Sequence, residues 1–212
     1  MSLKESLQAK LGLGLAEMGL IIDEAKQIKL IDYVLLIDKW NKVHNLTAIR
    51  DPHKMVTLHL LDSLSVLPHV QTLSAKTLLD VGAGAGLPSI PLAICLPELQ
   101  VTAIDAVQKK AIFMRQVKGE LDLINFQVKA GRVEALAKES KFDVIVSRAF
   151  SEISLFLDLT KHLLADGGKW LAMKGAVPNH EFEKLQIKPL EIKVLKVAGL
   201  DAERHLVMLQ QT

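Results

Sequence analysis

At 212 residues, half of them hydrophobic and only 4% aromatic, the chain suits one α/β domain with an extra segment and carries the Leu, Ile and Val bias of buried parallel strands. Its formal charge of +2 is spread evenly, with eight Lys/Arg against eight Asp/Glu in residues 1–70, eight against seven in 71–140 and ten against nine in 141–212, so composition carries no nucleic-acid footprint. The one cysteine, Cys95, excludes an internal disulfide and a cysteine-only metal site and points to a reducing compartment; the amphiphilic start lacks the apolar run of a secretory signal, no stretch reaches membrane-spanning length, and a cytoplasmic protein is expected.

Residues 1–70 have helical spacing and few strand signals, and are expected to form a helical segment packed on a core of residues 71–212. Leu3, Leu7 and Leu11 open one pattern; Ile28, Ile31, Leu35 and residues 37–40 give a longer one. Asp51-Pro52 predicts a helix start, the Asp as N-cap and the Pro at the first helical position, with the helix running over 53–67 and stopping at Pro68. Between these helices, residues 42–47 (KVHNLT) are polar and turn-like, and too specific to be filler. His59, Asp62 and Ser63 stand at i, i+3 and i+4 and so share one face. That face is either a metal or acid–base constellation or a polar surface that packs against the next loop or meets water. No His/Cys spacing matches a zinc site, and no metal is assigned.

The stretch KTLLDVGAGAGL (76–87) reads as strand, tight turn, helix. A short apolar run ends at Asp80, and glycines follow at Gly82, Gly84 and Gly86, where a ligand must approach the backbone closely. Residues 87–96 then supply a helix whose N-terminal N–H groups are expected to face that ligand. A dinucleotide fingerprint would need glycine where Leu87 stands, and a P-loop would need Gly-Lys-Ser/Thr. What remains is Asp-x-Gly-x-Gly-x-Gly, the form used by Rossmann-like methyltransferases that bind S-adenosyl-L-methionine; a purely structural βα turn is the other reading.

Downstream the chain alternates. Strands are predicted over 100–105, 125–129, 142–147 and 168–174, with helices over 108–121, 132–138 and 153–164 between them. Residues 189–197 and 204–210 resemble an antiparallel pair at one edge. Asp105 closes the second strand about 20 residues past the glycines, where a ribose-binding carboxylate is expected. In such a sheet ligands bind beyond the carboxyl ends of the strands. Arg148, Lys109, Arg132 and Lys174 lie at or near those ends as a local positive rim, and RNA phosphates are the expected partners of some of them, namely Lys109, Arg132 and Lys174.

The acceptor is constrained by what is missing. Pyrimidine carbon-5 methylation needs a cysteine nucleophile, and Cys95 sits on the packing side of a helix. Exocyclic amino methylation uses Asn/Asp-Pro-Pro-Tyr/Phe after the fourth strand, where this chain has Ser147-Arg148-Ala149-Phe150. Guanine N7 carries a nucleophilic lone pair and needs positioning and electrostatics but no strong base. Arg148 suits an acceptor held by its O6 edge or phosphate.

Trp40-Asn41, residues 45–52 (NLTAIRDP), 59–63 (HLLDS), 80–88 (DVGAGAGLP), Lys109, Arg132-Val133-Glu134, residues 147–150 and Lys174-Gly175 together resemble the bacterial RsmG (GidB) family over about residues 35–180. The resemblance implies a Rossmann-like fold with a mostly parallel seven-stranded sheet. It also implies methyl transfer from S-adenosyl-L-methionine to N7 of one guanine in 16S rRNA, as naked RNA or within the small ribosomal subunit, by a monomer. By position it implies cofactor contacts at Gly82, Leu87, Val133, Glu134 and Arg148, and with the readings above it makes Arg148, Asn45, His59 and Asp62 the candidates for catalysis. Ser89, Ala106 and Gly131 depart from the family pattern. A non-catalytic ribosome-binding protein and a small-molecule methyltransferase are the alternative readings.

Overall fold

The computed structural model describes every residue except Ala149, Ser151, Ile187 and Thr212. Helices occupy the first 72 residues and the sheet begins at Thr77. Helix α1 (Leu3–Glu17) opens on a capping box, in which the Ser2 hydroxyl accepts from the Glu5 N–H and the Glu5 carboxylate accepts from the Ser2 N–H. Helix α2 (Glu24–His44) is capped by Asp23, which accepts from the Lys26 N–H at 2.9 Å, and it ends where Asn45 turns left-handed at φ 48°.

Asp51 caps the next helix as expected, accepting from the His53 N–H at 2.9 Å with Pro52 in the first turn. The helix predicted over 53–67 is, however, built of three pieces: α3 (Pro52–Met55), a π-helical stretch Val56–Leu61, and α4 (Asp62–Leu64). Pro68 does not end it but lies in the first turn of α5 (Leu67–Thr72), where a missing N–H costs nothing. A π turn is wider than the 3.6-residue turn that the spacing of His59, Asp62 and Ser63 assumed, so residues along it are re-aimed.

The described residues form one seven-stranded sheet in the order β3-β2-β1-β4-β5-β7-β6. Strands β1 (Thr77–Val81), β2 (Gln100–Asp105), β3 (Phe126–Ala130), β4 (Phe142–Ser147) and β5 (Leu164–Lys174) are parallel, while β7 (His205–Gln210) pairs antiparallel with β5 and with β6 (Glu191–Val194). The expected antiparallel edge is therefore present. Strand order reverses between β1 and β4, which opens a crevice at their carboxyl ends.

Both faces of the sheet are covered, which is why the strands read as nearly continuous apolar runs. Leu78, Val101, Val144, Val146 and Leu171 join the core beneath α1, α2, α6 (Ser89–Cys95) and α7 (Gln108–Glu120). Leu79, Ile104, Ile145 and Trp170 join the core beneath α8 (Ile153–Thr160). Asn125, predicted to open β3, instead spends its amide on the carbonyls of Ala93, Leu96 and Leu99 and ties the end of α6 to the sheet.

Two further expectations shift. The helix over 132–138 shrinks to one 3-10 turn, Val133–Ala135. Strand β5 starts at Leu164 and not at 168, because Asp166-Gly167-Gly168 is absorbed as an irregularity: Leu164 pairs with Phe142 and Lys169 with Val144.

Helix α1 reaches the π stretch through a close approach at Gly14, where a Cβ would lie 2.4 Å from Leu61 Cδ1. Gly14→Val is expected to push the two apart and lower the unfolding free energy by about 1–3 kcal/mol, the usual cost of overpacking a filled core. Urea denaturation measures it, and an unchanged midpoint would show that the contact yields freely.

Candidate active site

The glycine loop leaves β1 with positive φ at Gly82 (71°), Gly84 (63°) and Gly86 (95°), conformations that a Cβ would strain. Its N–H groups are tied to the end of β2: Gly82 and Ala83 donate to the Ile104 carbonyl at 2.9 and 3.2 Å, and Gly84 donates to Asp105 Oδ2 at 2.8 Å. Asp105 Oδ1 accepts from the Val107 N–H at 2.8 Å. The carboxylate is thus fixed in direction while each oxygen keeps a further lone pair.

Beside it lies a cleft of about 320 Å³ that brings together Gly82, Asp105, Val133 and Glu134, with Phe150 and Ile104 supplying apolar wall. Four of the expected cofactor residues therefore converge. Gly84, Gly86 and Leu87 shape the turn from behind and do not line this cleft: the Gly84 N–H is used by Asp105, a Cβ on Gly86 would lie 2.3 Å from Ile90 Cδ1, and Leu87 is buried with its N–H on the Ala83 carbonyl at 2.9 Å.

The start of the following helix does not face a ligand either. Ser89 N–H donates to Asp80 Oδ2 at 3.1 Å and every residue of α6 is buried, so the acid that ends β1's apolar run occupies the helix start. Burial pushes the Asp80 carboxyl up to about 6, against the pull of its Ser89 hydrogen bonds and of the Arg148 charge. Cys95 is buried as expected, and burial drives its thiol up to about 12.

A second cavity, about 460 Å³, lies against Leu58, His59, Asp62, Arg148, Lys174 and Arg204. At its centre is an ion triad. Arg148 Nη1 donates to Asp62 Oδ2 at 3.0 Å, Arg204 Nε donates to Asp62 Oδ1 at 2.9 Å, and Arg148 Nη1 also reaches the Leu58 carbonyl at 3.2 Å. Arg148 lines this cavity and not the cofactor cleft. Arg148 and Phe150 thus line different cavities.

His59 is occupied on both ring nitrogens. Nε2 lies 3.0 Å from Thr47 Oγ1 and Nδ1 lies 3.1 Å from the Leu58 carbonyl. Since Leu58 offers an acceptor, the proton belongs on Nδ1 and Nε2 accepts from Thr47, a tautomer assigned from this network. Burial, then the Arg148 charge, pull the imidazole down to about 4, so it is neutral at physiological pH. Ser63, expected on the same face, is fully buried and its hydroxyl has no hydrogen-bond partner, so it does not join His59 and Asp62 at the cavity. Among the described residues no group of three or more His, Cys, Asp or Glu side chains could hold a metal ion.

The KVHNLT stretch ends α2 and folds back over the cavity. Asn41 accepts from the Thr47 N–H at 2.9 Å and donates to the Ile49 carbonyl at 2.9 Å, which sets Ile49 in the cavity wall. Asn45 is exposed outside the cavity, with its side-chain oxygen on Arg50 Nη2 at 2.5 Å. Its place is that of a helix cap that receives Arg50.

The expected RNA cations separate. Arg132 is 78% exposed and paired with Glu134 at 3.1 Å. Lys109 is exposed but donates to the His44 carbonyl at 2.9 Å, a cation at the carboxyl end of α2. Lys174 is only 11% exposed, donates to the Phe150 carbonyl at 3.0 Å and stands 3.8 Å from Glu181.

Two residues escape a reading of the sequence. Arg204 precedes β7, and the signal for it is topological: a strand antiparallel to β5 begins where β5 ends, as the pairing of Lys174 with His205 shows. Tyr33 is the chain's one tyrosine, set among aliphatic residues of α2, and its hydroxyl donates to the Ala85 carbonyl at 2.8 Å. A buried tyrosine requires such a partner.

Residues 26–207 match the family model described as rRNA small subunit methyltransferase G. Relatives named ribosomal RNA small subunit methyltransferase G include one from Methylobacillus flagellatus, 61% identical over 96% of this chain and 98% of its own length, and one from Laribacter hongkongensis, 49% identical over 99% of both. The one from Neisseria meningitidis is 48% identical over the whole of both chains. Among solved structures, an O-methyltransferase from Bacillus cereus in complex with SAH superposes with a TM-score of 0.62 at 18% identity over 97% of this chain and 98% of that one. A putative S-adenosyl-L-methionine-dependent methyltransferase from Methanococcus maripaludis gives 0.58 at 16% identity over 86% and 93%. At such identities the two structures establish the shared fold.

The buried imidazole makes a prediction about acid. Between pH 6.5 and about 4 the unfolded chain takes up a proton at His59 that the folded chain refuses, so this residue's contribution is intact above pH 6.5 and lost as pH falls through that window. Asp80 acts with the opposite sign, but it is common to wild type and variant and cancels in their difference. His59→Asn is therefore expected to gain on wild type as pH falls from 7 to 4, by on the order of 3 kcal/mol. Denaturant titrations at several pH values measure the difference; a constant gap would mean that His59 is not held neutral.

Proposed function

The chain belongs to the rRNA small subunit methyltransferase G family, and on that premise we propose that it transfers a methyl group from S-adenosyl-L-methionine to N7 of one guanine in 16S rRNA. The observation that carries the choice of acceptor is that, among the described residues lining the second cavity, neither His59 nor Asp62 is an uncommitted base. His59 is neutral with both nitrogens engaged, and both Asp62 oxygens hold guanidiniums. An acceptor that must lose a proton before attack finds nothing to take it, whereas guanine N7 attacks with its own lone pair.

The residues of the first cleft fit the cofactor. Its volume lies in the ~300–1,000 Å³ range of small-molecule sites, its wall is apolar with one aromatic, and Asp105 retains lone pairs for ribose hydroxyls. When bound, the cofactor supplies an electrophilic methyl on a positively charged sulfur. Asp105, Val133 and Glu134 hold the adenosine end, and the loop from Gly82 receives the rest. Arg148 and Arg204 offer their remaining N–H groups to the guanine O6 edge or a neighbouring phosphate, and the triad's net positive charge favours such a ligand. Thr47 and His59 hold the loop that walls the acceptor side, with Asn45 and Arg50 behind it. Arg132 and Lys109 reach RNA from the rim.

In this reading residues 71–212 build the cofactor side, and the acceptor side is shared between the helical segment 1–70, through Ile49, Leu58, His59 and Asp62, and the core, through Arg148, Lys174 and Arg204. The enzyme is proposed to act as a monomer. Its substrate, 16S rRNA or the small subunit that contains it, places the work in the cytoplasm. No helix among the described residues is long and apolar enough to cross a membrane.

Single-turnover methylation of small ribosomal subunits across pH 5.5–8 tests the proposal, with N7-methylguanine located by borohydride reduction and aniline cleavage. The rate is expected to be flat through the histidine range, and Arg148→Ala is expected to lower it by about 10²–10³ while cofactor still binds. A rate that collapses below about pH 6.5, with a His59→Ala variant dead but still binding RNA and cofactor, would show that a base is required and that N7 is the wrong acceptor.

A further inference from the structure

The cofactor loop is held from outside the cofactor domain. Tyr33, on the second helix of the N-terminal segment, is wholly buried, and its hydroxyl donates to the Ala85 carbonyl across 52 residues of sequence. Its ring stacks on Phe113 of α7 with centroids 6.5 Å apart, and Trp40 meets the same ring edge-on at 5.5 Å, so α2 is docked by aromatic contacts that do not involve the hydroxyl.

Ala85 lies between two glycines at positive φ, so no neighbouring side chain restrains the plane of its peptide. Within the turn the Ala83 carbonyl accepts from Leu87 and from Gly86, whose N–H belongs to the same peptide unit as the Ala85 carbonyl, and the Gly86 carbonyl accepts from Ile90, so that unit is held at its N–H end from inside the loop and at its oxygen end by Tyr33. The Ala85 carbonyl is buried and takes its donor from Tyr33. Without that donor a buried acceptor is left unmet, and the glycine backbone on either side can tilt the peptide unit about its remaining Gly86–Ala83 hydrogen bond to relieve it. Burial holds the phenol well above its ordinary value, so it donates at any working pH.

We propose that Tyr33 is a positioning residue for the cofactor: from the helical segment it anchors the Ala85 carbonyl inward and fixes the glycine loop in the shape that receives S-adenosyl-L-methionine. The proposal rests on the methyltransferase reading above. It assigns the N-terminal segment a part in cofactor binding as well as in the acceptor wall.

The test compares full-length wild type with Tyr33→Phe, which keeps the ring, and with Leu11→Ala, which opens the core under α1 far from the loop. S-adenosylhomocysteine affinity by calorimetry, KM for S-adenosyl-L-methionine, kcat on small subunits and Tm are measured for each. For Tyr33→Phe, Kd and KM are expected to rise together by about fivefold to tenfold, the size of one hydrogen bond, with kcat at saturating cofactor within about twofold. Leu11→Ala is expected to lower Tm at least as much and leave Kd unchanged. Wild-type affinity in Tyr33→Phe would overturn the proposal, and so would Kd values that follow Tm in both variants. Wild type that binds no S-adenosylhomocysteine would overturn the methyltransferase reading itself, and the role of Tyr33 with it.

Discussion

Asp62 lies between two guanidiniums that reach it from different parts of the chain, Arg148 after β4 and Arg204 before β7, at sequence separations of 86 and 142 residues. Two unit charges about 4 Å apart repel by roughly 4 kcal/mol at the effective dielectric of a protein surface, so the two arginines can share one cavity because an anion stands between them. That anion comes from the helical segment, on the turn just past the π stretch. The triad therefore ties the N-terminal helices, the end of the parallel sheet and its antiparallel edge at one point. Both guanidiniums remain partly exposed, so their unused N–H groups face the cavity that they help to close.

The same arrangement decides what chemistry the cavity can host. Burial and a nearby cation both disfavour the imidazolium of His59, and the Thr47 hydroxyl takes the lone pair through which a neutral imidazole would act as a base. Asp80, whose carboxyl is raised, is wholly buried beneath the glycine loop and caps α6, in contact with neither cavity. What is left is positive charge and directed donors. Such a site stabilises and orients an acceptor but does not deprotonate it, and that property follows from hydrogen bonds made inside the protein before any ligand arrives.

The cofactor half is legible in the sequence because its signals are local: an apolar run, an acid and spaced glycines make one βα unit, and the next acid falls about 20 residues later. Asp105 and Gly82 converge for that reason, whereas only the family resemblance points to Val133 and Glu134, which line the same cleft. The acceptor half is less legible. The π stretch breaks the 3.6-residue rule that grouped Ser63 with His59 and Asp62. Pro68 starts a helix where it reads as a stop, and Asp166-Gly167-Gly168 is carried inside a strand. Lys174 and Lys109 sit at strand or helix ends as free cations would, yet each is bound to a backbone carbonyl contributed by a distant residue. Arg204 becomes visible only once β7 is known to run antiparallel to β5. For the two lysines and Arg204 the deciding partner is far along the chain, and local pattern carries no record of it.

Methyl transfer is sensitive to the alignment of donor and acceptor, so the distance between the two sites has to be set by something stiff. Helix α2 answers that need. Tyr33 holds the glycine loop, and Asn41, eight positions on and so about 12 Å farther along the axis, folds the Thr47–Ile49 backbone that walls the acceptor cavity. The helix in turn is fixed to α7 by Phe113 and by the lysine that caps its carboxyl end. One rigid element thus carries reference points for both sites. On the proposed function, the N-terminal helices belong to the site and are not a lid added to a complete methyltransferase domain, because α2 spans the spacing between the cofactor loop and the acceptor wall.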